Sequence, residues 1–166
     1  MLQLLLLRHA KSAWNHPGLR DHDRPLAPRG LRDAPRMGRY LRDQGFTPAA
    51  ALVSTAVRAR TTAELALEAA GAAPDTLRLV PDLYGSSPDE IVEIVAGEGG
   101  SASPLLVVAH NPGMEDLAAR FLGRYEHFPT AALLVARVPA PDWAGFSPAA
   151  ATVEAFVRPR EFSRDE

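Results

Sequence analysis

Cysteine is absent from this chain, which excludes disulfides, thiolate metal sites and a cysteine nucleophile, and leaves the redox compartment open. Lysine is nearly absent too: Lys11 stands alone among many arginines. Acidic residues outnumber basic ones by 20 to 18, so the chain has no broad basic field for nucleic acid, and any anion site has to be local. Long apolar runs are also missing. Residues 2–7 are far too few to span a bilayer, no basic residue precedes them, and Arg8-His9 follows at once. They read as a buried strand, and with no targeting segment the expected location is cytoplasmic, without a membrane partner. No internal repeat or low-complexity block is visible. At 166 residues, 46% apolar and 23% charged, the balance is that of one globular domain, expected over 1–158 with a polar tail over 159–166.

Two distant junctions organise the reading. Leu4-Leu5-Leu6-Leu7-Arg8-His9 and Leu105-Leu106-Val107-Val108-Ala109-His110 each carry an apolar run of strand length into a histidine, at the point where the backbone should leave a sheet. Ligands sit at such points in open α/β folds. Further strands are expected at 49–53, 76–80 and 131–138, with an edge strand at 152–157. Helices are expected at 29–44, where Pro35 requires a later start or a kink, at 56–70, at 87–97 behind a Ser87-Pro88-Asp89-Glu90 capping box, and after Asn111-Pro112. Strands alternating with helices predict an α/β fold, a three-layer α/β/α sandwich with a mostly parallel central sheet. The irregular stretch 14–28 is long enough to be a functional loop overhanging the site. Trp143 and Phe146, in a Pro-rich turn, look exposed and fit either an interface or packing at the domain edge.

The chemistry expected at the junctions is that of phosphate. Residues 54–58 and 110–113 lie at helix N-termini, where free N–H groups favour an anion, and Arg8 and Arg58 add forked donors that match phosphate oxygens. A neutral His9 can attack phosphorus, while His110 suits a donor to the charge that spreads over the equatorial oxygens. His16, His22 and His127 lack ligand-like spacing and read as ordinary loop residues, so no metal and no cofactor are expected.

Arg8-His9-Ala10 resembles the Arg-His-Gly signature of the histidine phosphatase superfamily, which includes phosphoglycerate mutases and acid phosphatases. The segment 24–30, the run Ser54-Thr55-Ala56-Val57-Arg58-Ala59-Arg60-Thr61-Thr62-Ala63-Glu64, and Val108-Ala109-His110-Asn111-Pro112 extend the likeness over about 4–136. Ala10, Thr55 and Thr61 depart from the usual Gly, Pro and Gln without removing a catalytic group. The short length and Arg-His-Ala-Lys-Ser are similar to the phosphohistidine phosphatase (SixA) branch. The resemblance implies His9 as phosphoryl acceptor, with Arg8, Arg58 and His110 binding the phosphoryl group. It makes Asp82 the best positional match for a proton donor, Asp116 a distant second. The implied substrate is a phosphorylated protein, above all one bearing phosphohistidine, or a small phosphorylated metabolite handled by the same site. A non-catalytic phosphate-binding module is the reading from another class, and the chain is expected to be a monomer or weak homo-oligomer.

Overall fold

The computed structural model describes residues 1–162. Six strands form one sheet: β1 (Leu2–Arg8), β2 (Ala50–Val53), β3 (Leu77–Leu79), β4 (Leu105–Ala109), β5 (Leu133–Val138) and β6 (Thr152–Val157), in the order β3-β2-β4-β1-β5-β6. β3, β2, β4 and β1 pair in parallel, whereas β5 runs antiparallel to both of its neighbours. The connections α1 (Pro28–Asp43), α2 (Val57–Ala70), α3 (Pro88–Glu98) and α4 (Gly113–Leu122) cover the sheet. This is the expected α/β/α sandwich with a mostly parallel sheet.

Alternation along the central strand builds two cores. Leu4 and Leu6 enter the core that contains Ile91, Val95, Met114 and Leu117 of α3 and α4; Leu5 and Leu7 enter the one that contains Met37, Leu41, Ala63 and Ala66 of α1 and α2. Both faces being covered, β1 and β4 read as unbroken apolar runs rather than as alternating ones. Each fully buried leucine contributes roughly 1.5–3 kcal/mol of transfer free energy, which anchors the middle of the sheet most firmly.

Several expectations are refined. The first helix starts at Pro28 and continues through Pro35, so the later start is excluded. Its buried stripe of Ala34, Met37, Gly38 and Leu41 offsets the one backbone bond that Pro35 cannot donate. Gly38 packs against the Ala66 carbonyl of α2, where a Cβ would collide with backbone. Pro112 precedes the first turn of α4 instead of occupying it, and Asn111 Oδ1 accepts the Glu115 N–H at 3.2 Å. Trp143 is fully buried: its indole N–H donates to the Ala102 carbonyl at 2.6 Å, and its ring lies over Gly99 and edge-on to Phe146. The pair therefore closes the domain edge and does not form an exposed patch. Of the expected polar tail 159–166, Pro159–Glu161 form a turn, and Phe162 lies 5.4 Å from the ring of Tyr40 on α1. Residues 163–166 lie outside the described residues.

The parallel strands end at one edge of the sheet, and that edge carries the site. From β1 the chain crosses to β2 on one side; from β4 it crosses to β5 on the other. The ends of β1 and β4 therefore flank the point where the winding reverses, which opens a crevice beyond their carboxyl ends.

Candidate active site

Strand register fixes the two histidines. Arg8 pairs with Ala109 across β1 and β4, and the His9 N–H donates to the Ala109 carbonyl at 3.2 Å, so His9 and His110 leave adjacent strands at the same level. Their ring centroids are 5.1 Å apart. Both residues are buried.

His9 Nδ1 lies 2.8 Å from the Ala10 carbonyl oxygen. A carbonyl only accepts, so the ring proton resides on Nδ1 and Nε2 keeps its lone pair. Burial is the main cause that brings the His9 pKa down to about 3; the Ala10 carbonyl opposes it, while His110, Arg8 and Arg58 add to it. His9 is thus a neutral imidazole at physiological pH, with the Nε2 lone pair available. Ala10, in place of glycine, fits because its methyl joins the buried α1/α2 side; its N–H donates to Thr62 Oγ1 at 3.0 Å, and the Thr62 hydroxyl donates to the Arg58 carbonyl at 2.6 Å.

A serine that follows a third strand, Ser54 after β2, bonds His110. Ser54 Oγ accepts the Ala56 N–H at 3.3 Å and lies 2.7 Å from His110 Nε2. His110 Nδ1 is buried without a partner, and it carries the ring proton in the tautomer whose Nε2 accepts the Ser54 hydroxyl. Burial, then Arg58, lowers the His110 pKa to about 4. Arg8 donates from one terminal nitrogen to the Phe128 carbonyl at 3.2 Å, and Asn111 Nδ2 donates to the same oxygen at 2.9 Å. Among the described residues the buried side-chain N and O atoms without a partner are Arg8 Nε, Arg58 Nε and His110 Nδ1. The two arginine atoms are N–H donors, and His110 Nδ1 is a third in the tautomer whose Nε2 accepts from Ser54; all three lie on residues expected to bind a phosphoryl group. An unmade buried hydrogen bond costs about 1–3 kcal/mol, and an anionic acceptor placed among these three removes that cost.

The loop 14–28 does overhang this floor, and it brings residues that the sequence reading passed over. Asp21 receives Arg58 twice, at its backbone carbonyl (2.7 Å) and its carboxylate (2.9 Å). The same carboxylate accepts the Tyr84 hydroxyl at 2.6 Å and Arg24 Nε at 3.1 Å. These bonds, that of Tyr84 first, hold the Asp21 pKa well below the usual carboxylate range against the opposing effect of burial. His22, expected to be an ordinary loop residue, instead bonds Thr55 Oγ1 at 2.8 Å and meets the Tyr84 ring edge-on at 4.9 Å; Tyr84 in turn packs edge-on to His110 at 5.4 Å. His16 is exposed, and His127 lies 3.4 Å from Glu115.

Asp82 takes no part in this cluster. The turn Pro81–Leu83 directs Leu83 into the core, and Asp82, one position earlier, faces solvent with no hydrogen bond or ion pair among the described residues. Asp116 on α4 is also exposed. The carboxylate that reaches the site is Asp21. Ser54, placed by the sequence only within an anion-favouring helix start, was the most legible of these, since it follows β2 as His9 and His110 follow β1 and β4; Asp21 and Tyr84 lie in irregular segments with no periodicity to mark them.

A neutral imidazole framed by two guanidinium groups and a second neutral imidazole, beyond the carboxyl ends of parallel strands, is an anion-handling site in an α/β enzyme. Residues 4–84 match the family model for the histidine phosphatase superfamily, branch 1, and the chain belongs to that superfamily. The uncharacterized protein Rv1276c of Mycobacterium tuberculosis is 39% identical over 166 residues, covering 93% of this chain and 100% of that one. A solved structure from Nakamurella multipartitia, provisionally described as a phosphohistidine phosphatase SixA, is 30% identical with a TM-score of 0.80, covering 95% of this chain and 96% of the other. The protein histidine phosphatase SixA complexed with tungstate shares the fold at 22% identity and a TM-score of 0.79, covering 98% of this chain and all of that one. Among the described residues no helix is long and apolar enough to cross a membrane, and no group of three or more His, Cys, Asp or Glu could hold a metal ion.

Proposed function

We propose that this phosphatase hydrolyses phosphohistidine in proteins by way of a phosphorylated His9. The observation that carries the reading is the trio of buried, unpartnered donors, Arg8 Nε, Arg58 Nε and His110 Nδ1, beside an imidazole whose Nε2 bears the lone pair. In the first step His9 Nε2 forms a bond to phosphorus as the bond to the substrate nitrogen breaks. The three donors hold the equatorial oxygens, where charge accumulates, and the departing imidazole takes up a proton. In the second step water attacks the phosphorus, the Nε2–P bond breaks, inorganic phosphate leaves, and the surplus proton passes to solvent.

The lack of an acid among the site carboxylates supports the nitrogen-linked substrate. Asp82 and Asp116 face solvent away from the cluster, and Asp21 is held ionised by Tyr84 and Arg58, so it has no proton to give. An alkoxide leaving group needs a positioned donor, whereas an imidazole is itself basic enough to be protonated as it departs.

The test is to incubate the wild type and His9→Ala with a protein carrying radiolabelled phosphohistidine, quench in alkali, and follow both release of phosphate and label on the enzyme. Wild type is expected to release phosphate and carry an acid-labile label, and His9→Ala to do neither. Label on His9→Ala would overturn the nucleophile, and faster turnover of alkyl phosphomonoesters than of phosphohistidine would transfer the site to a small metabolite.

A further inference from the structure

The guanidinium of Arg8 rests on a stretch of backbone that no ladder holds. Residues 123–132 join α4 to β5 without helix or strand, and among the described residues the backbone of 124–128 makes no bond to other backbone. Side chains satisfy it instead. The Phe128 N–H donates to Glu115 Oε2 of α4 at 2.9 Å, and the Phe128 carbonyl accepts Arg8 Nη1 at 3.2 Å and Asn111 Nδ2 at 2.9 Å. The Phe128 side chain is fully buried, its ring edge-on to Phe156 at 5.6 Å. Glu115 thus grips the residue whose carbonyl orients a phosphate-binding arginine.

These contacts close into a ring. The Glu115 carboxylate holds the Phe128 N–H, the Phe128 carbonyl holds the Asn111 amide, and Asn111 Oδ1 accepts the backbone N–H of Glu115 at 3.2 Å. Asn111 directly follows His110, so the ring joins both phosphate-binding junctions. The second carboxylate oxygen, Oε1, accepts the Tyr125 hydroxyl at 2.9 Å, and His127 Nδ1 lies 3.4 Å from Oε2. Burial pushes the Glu115 pKa up, but the Phe128 N–H, the Tyr125 hydroxyl and His127 outweigh it, so the acceptor is ionised. A charged acceptor makes a bond roughly twice as strong as a neutral one. Charge matters at Arg8 as well, where burial disfavours the guanidinium cation, Glu115 opposes that effect, and Arg58 adds to it.

Among the described residues the Arg8 head has this one carbonyl as its hydrogen-bond partner, while its Nε has none. Whatever moves Phe128 moves the donor. We infer that Glu115 is a positioning residue for the phosphoryl site, holding Arg8 on its aim through the backbone of Phe128. This rests on Arg8 as a ligand of the phosphoryl group, and not on which phosphorylated molecule is the substrate.

The experiment is a double-mutant cycle of Glu115→Ala and Arg8→Ala, read by calorimetric binding of tungstate and by kcat/KM on p-nitrophenyl phosphate. Glu115→Ala is expected to weaken both roughly tenfold, because a displaced donor loses its match to the oxyanion. In the Arg8→Ala background the same change should add almost nothing. Glu115→Gln, which keeps an acceptor for the Phe128 N–H but not its charge, should stay within about threefold of wild type. Losses that add in the double variant would overturn the inference and leave Glu115 a stabiliser of the fold alone, as would a glutamine variant no better than alanine. Where a thermal melt shows Glu115→Ala unfolded, Glu115→Asp takes its place in the cycle: the shorter side chain withdraws the carboxylate from the Phe128 N–H, and the same non-additivity is required. Arg8→Ala indistinguishable from wild type would instead remove Arg8 from the phosphoryl site, a failure of the underlying reading that shows without any change at Glu115 and takes the inference with it.

Discussion

The floor of the site and the strap above it are built by opposite physical means. The floor comprises Arg8, His9, Ser54 and His110, which end or follow three adjacent parallel strands, and its two histidines are desolvated into their neutral forms. The strap, residues 14–28, holds its position by charge: Asp21 links Arg58, Tyr84 and Arg24, and Arg24 stacks on Trp14 at 3.6 Å. Burial fixes protonation states and leaves donors unpaired; charge pairing to a half-exposed carboxylate fixes position, is screened by salt on its open side, and yields to a competitor. The contrast teaches where chemistry and access reside, and it can be broken at each level.

The largest effect belongs to the residue that both regions share. Arg58 presents an unpaired Nε to the floor and spends its terminal nitrogens on Asp21. Arg58→Ala is expected to lower kcat/KM on an aryl phosphate by roughly 10²–10³, the usual cost of removing one transition-state donor, and also to release the strap. Steady-state kinetics combined with limited proteolysis at 14–28 would read both. A loss below about threefold would mean that the phosphoryl group binds elsewhere.

Next comes the pH profile, which tests the floor alone. Because the folded pKa values of His9 and His110 lie near 3 and 4, below the ordinary 6.5, the neutral forms persist through mild acid. After correction for the substrate's own ionisation near pH 6, activity should stay level from about pH 8 to 5 and fall only toward pH 4. Stability moves with the opposite partner. Below about pH 6.5 the unfolded chain takes up protons that the folded histidines refuse, so stability is full above that pH and declines as pH falls toward 4. An activity limb at pH 6.5 would show that these imidazoles are solvated.

How much was legible follows the same division. Apolar strands ending in polar residues announce the floor, because burial on two faces imposes an unbroken hydrophobic run and the run's end marks the sheet's edge. Arg8, His9 and His110 were readable that way and Ser54 could have been, whereas Arg58, inside α2, was read from the helix start that follows β2 and from the family resemblance. Asp82 was placed by its position in the chain, but a one-residue offset in a tight turn decides whether a side chain faces the core or water, and there Leu83 took the core. Asp21, His22 and Tyr84 were not readable, since their roles come from the closure of an irregular loop onto residues some 30 to 60 positions away.

Ser54→Ala offers a smaller and more selective perturbation of the floor. It removes the hydroxyl bonded to His110 Nε2, so the proton of the neutral ring can redistribute between its two nitrogens. A fall of about tenfold in kcat with little change in KM is expected, together with a shift in the ¹⁵N tautomer signature of His110. A change confined to thermal stability would make Ser54 purely structural.

The smallest effect, and the one that separates brace from brake, is that of Asp21→Asn. The asparagine keeps an acceptor oxygen for Arg58 Nη2, and the backbone carbonyl at residue 21 still takes the other terminal nitrogen at 2.7 Å, so the guanidinium stays where it is. What disappears is a negative charge close to the place a dianion must occupy. Because the Asp21 side chain is 51% exposed, solvent screens that charge, and its removal is worth only the interaction of two charges several ångströms apart in a water-like dielectric, about threefold in binding. Tungstate inhibition should therefore tighten by about that factor at low ionic strength, and the gain should fade in 0.5 M salt, well beyond physiological screening. If inhibition weakens instead, the full carboxylate is needed to hold Arg58 in place. The strap would then belong with the floor as part of the rigid machinery, and the division between buried chemistry and charge-held access would not survive.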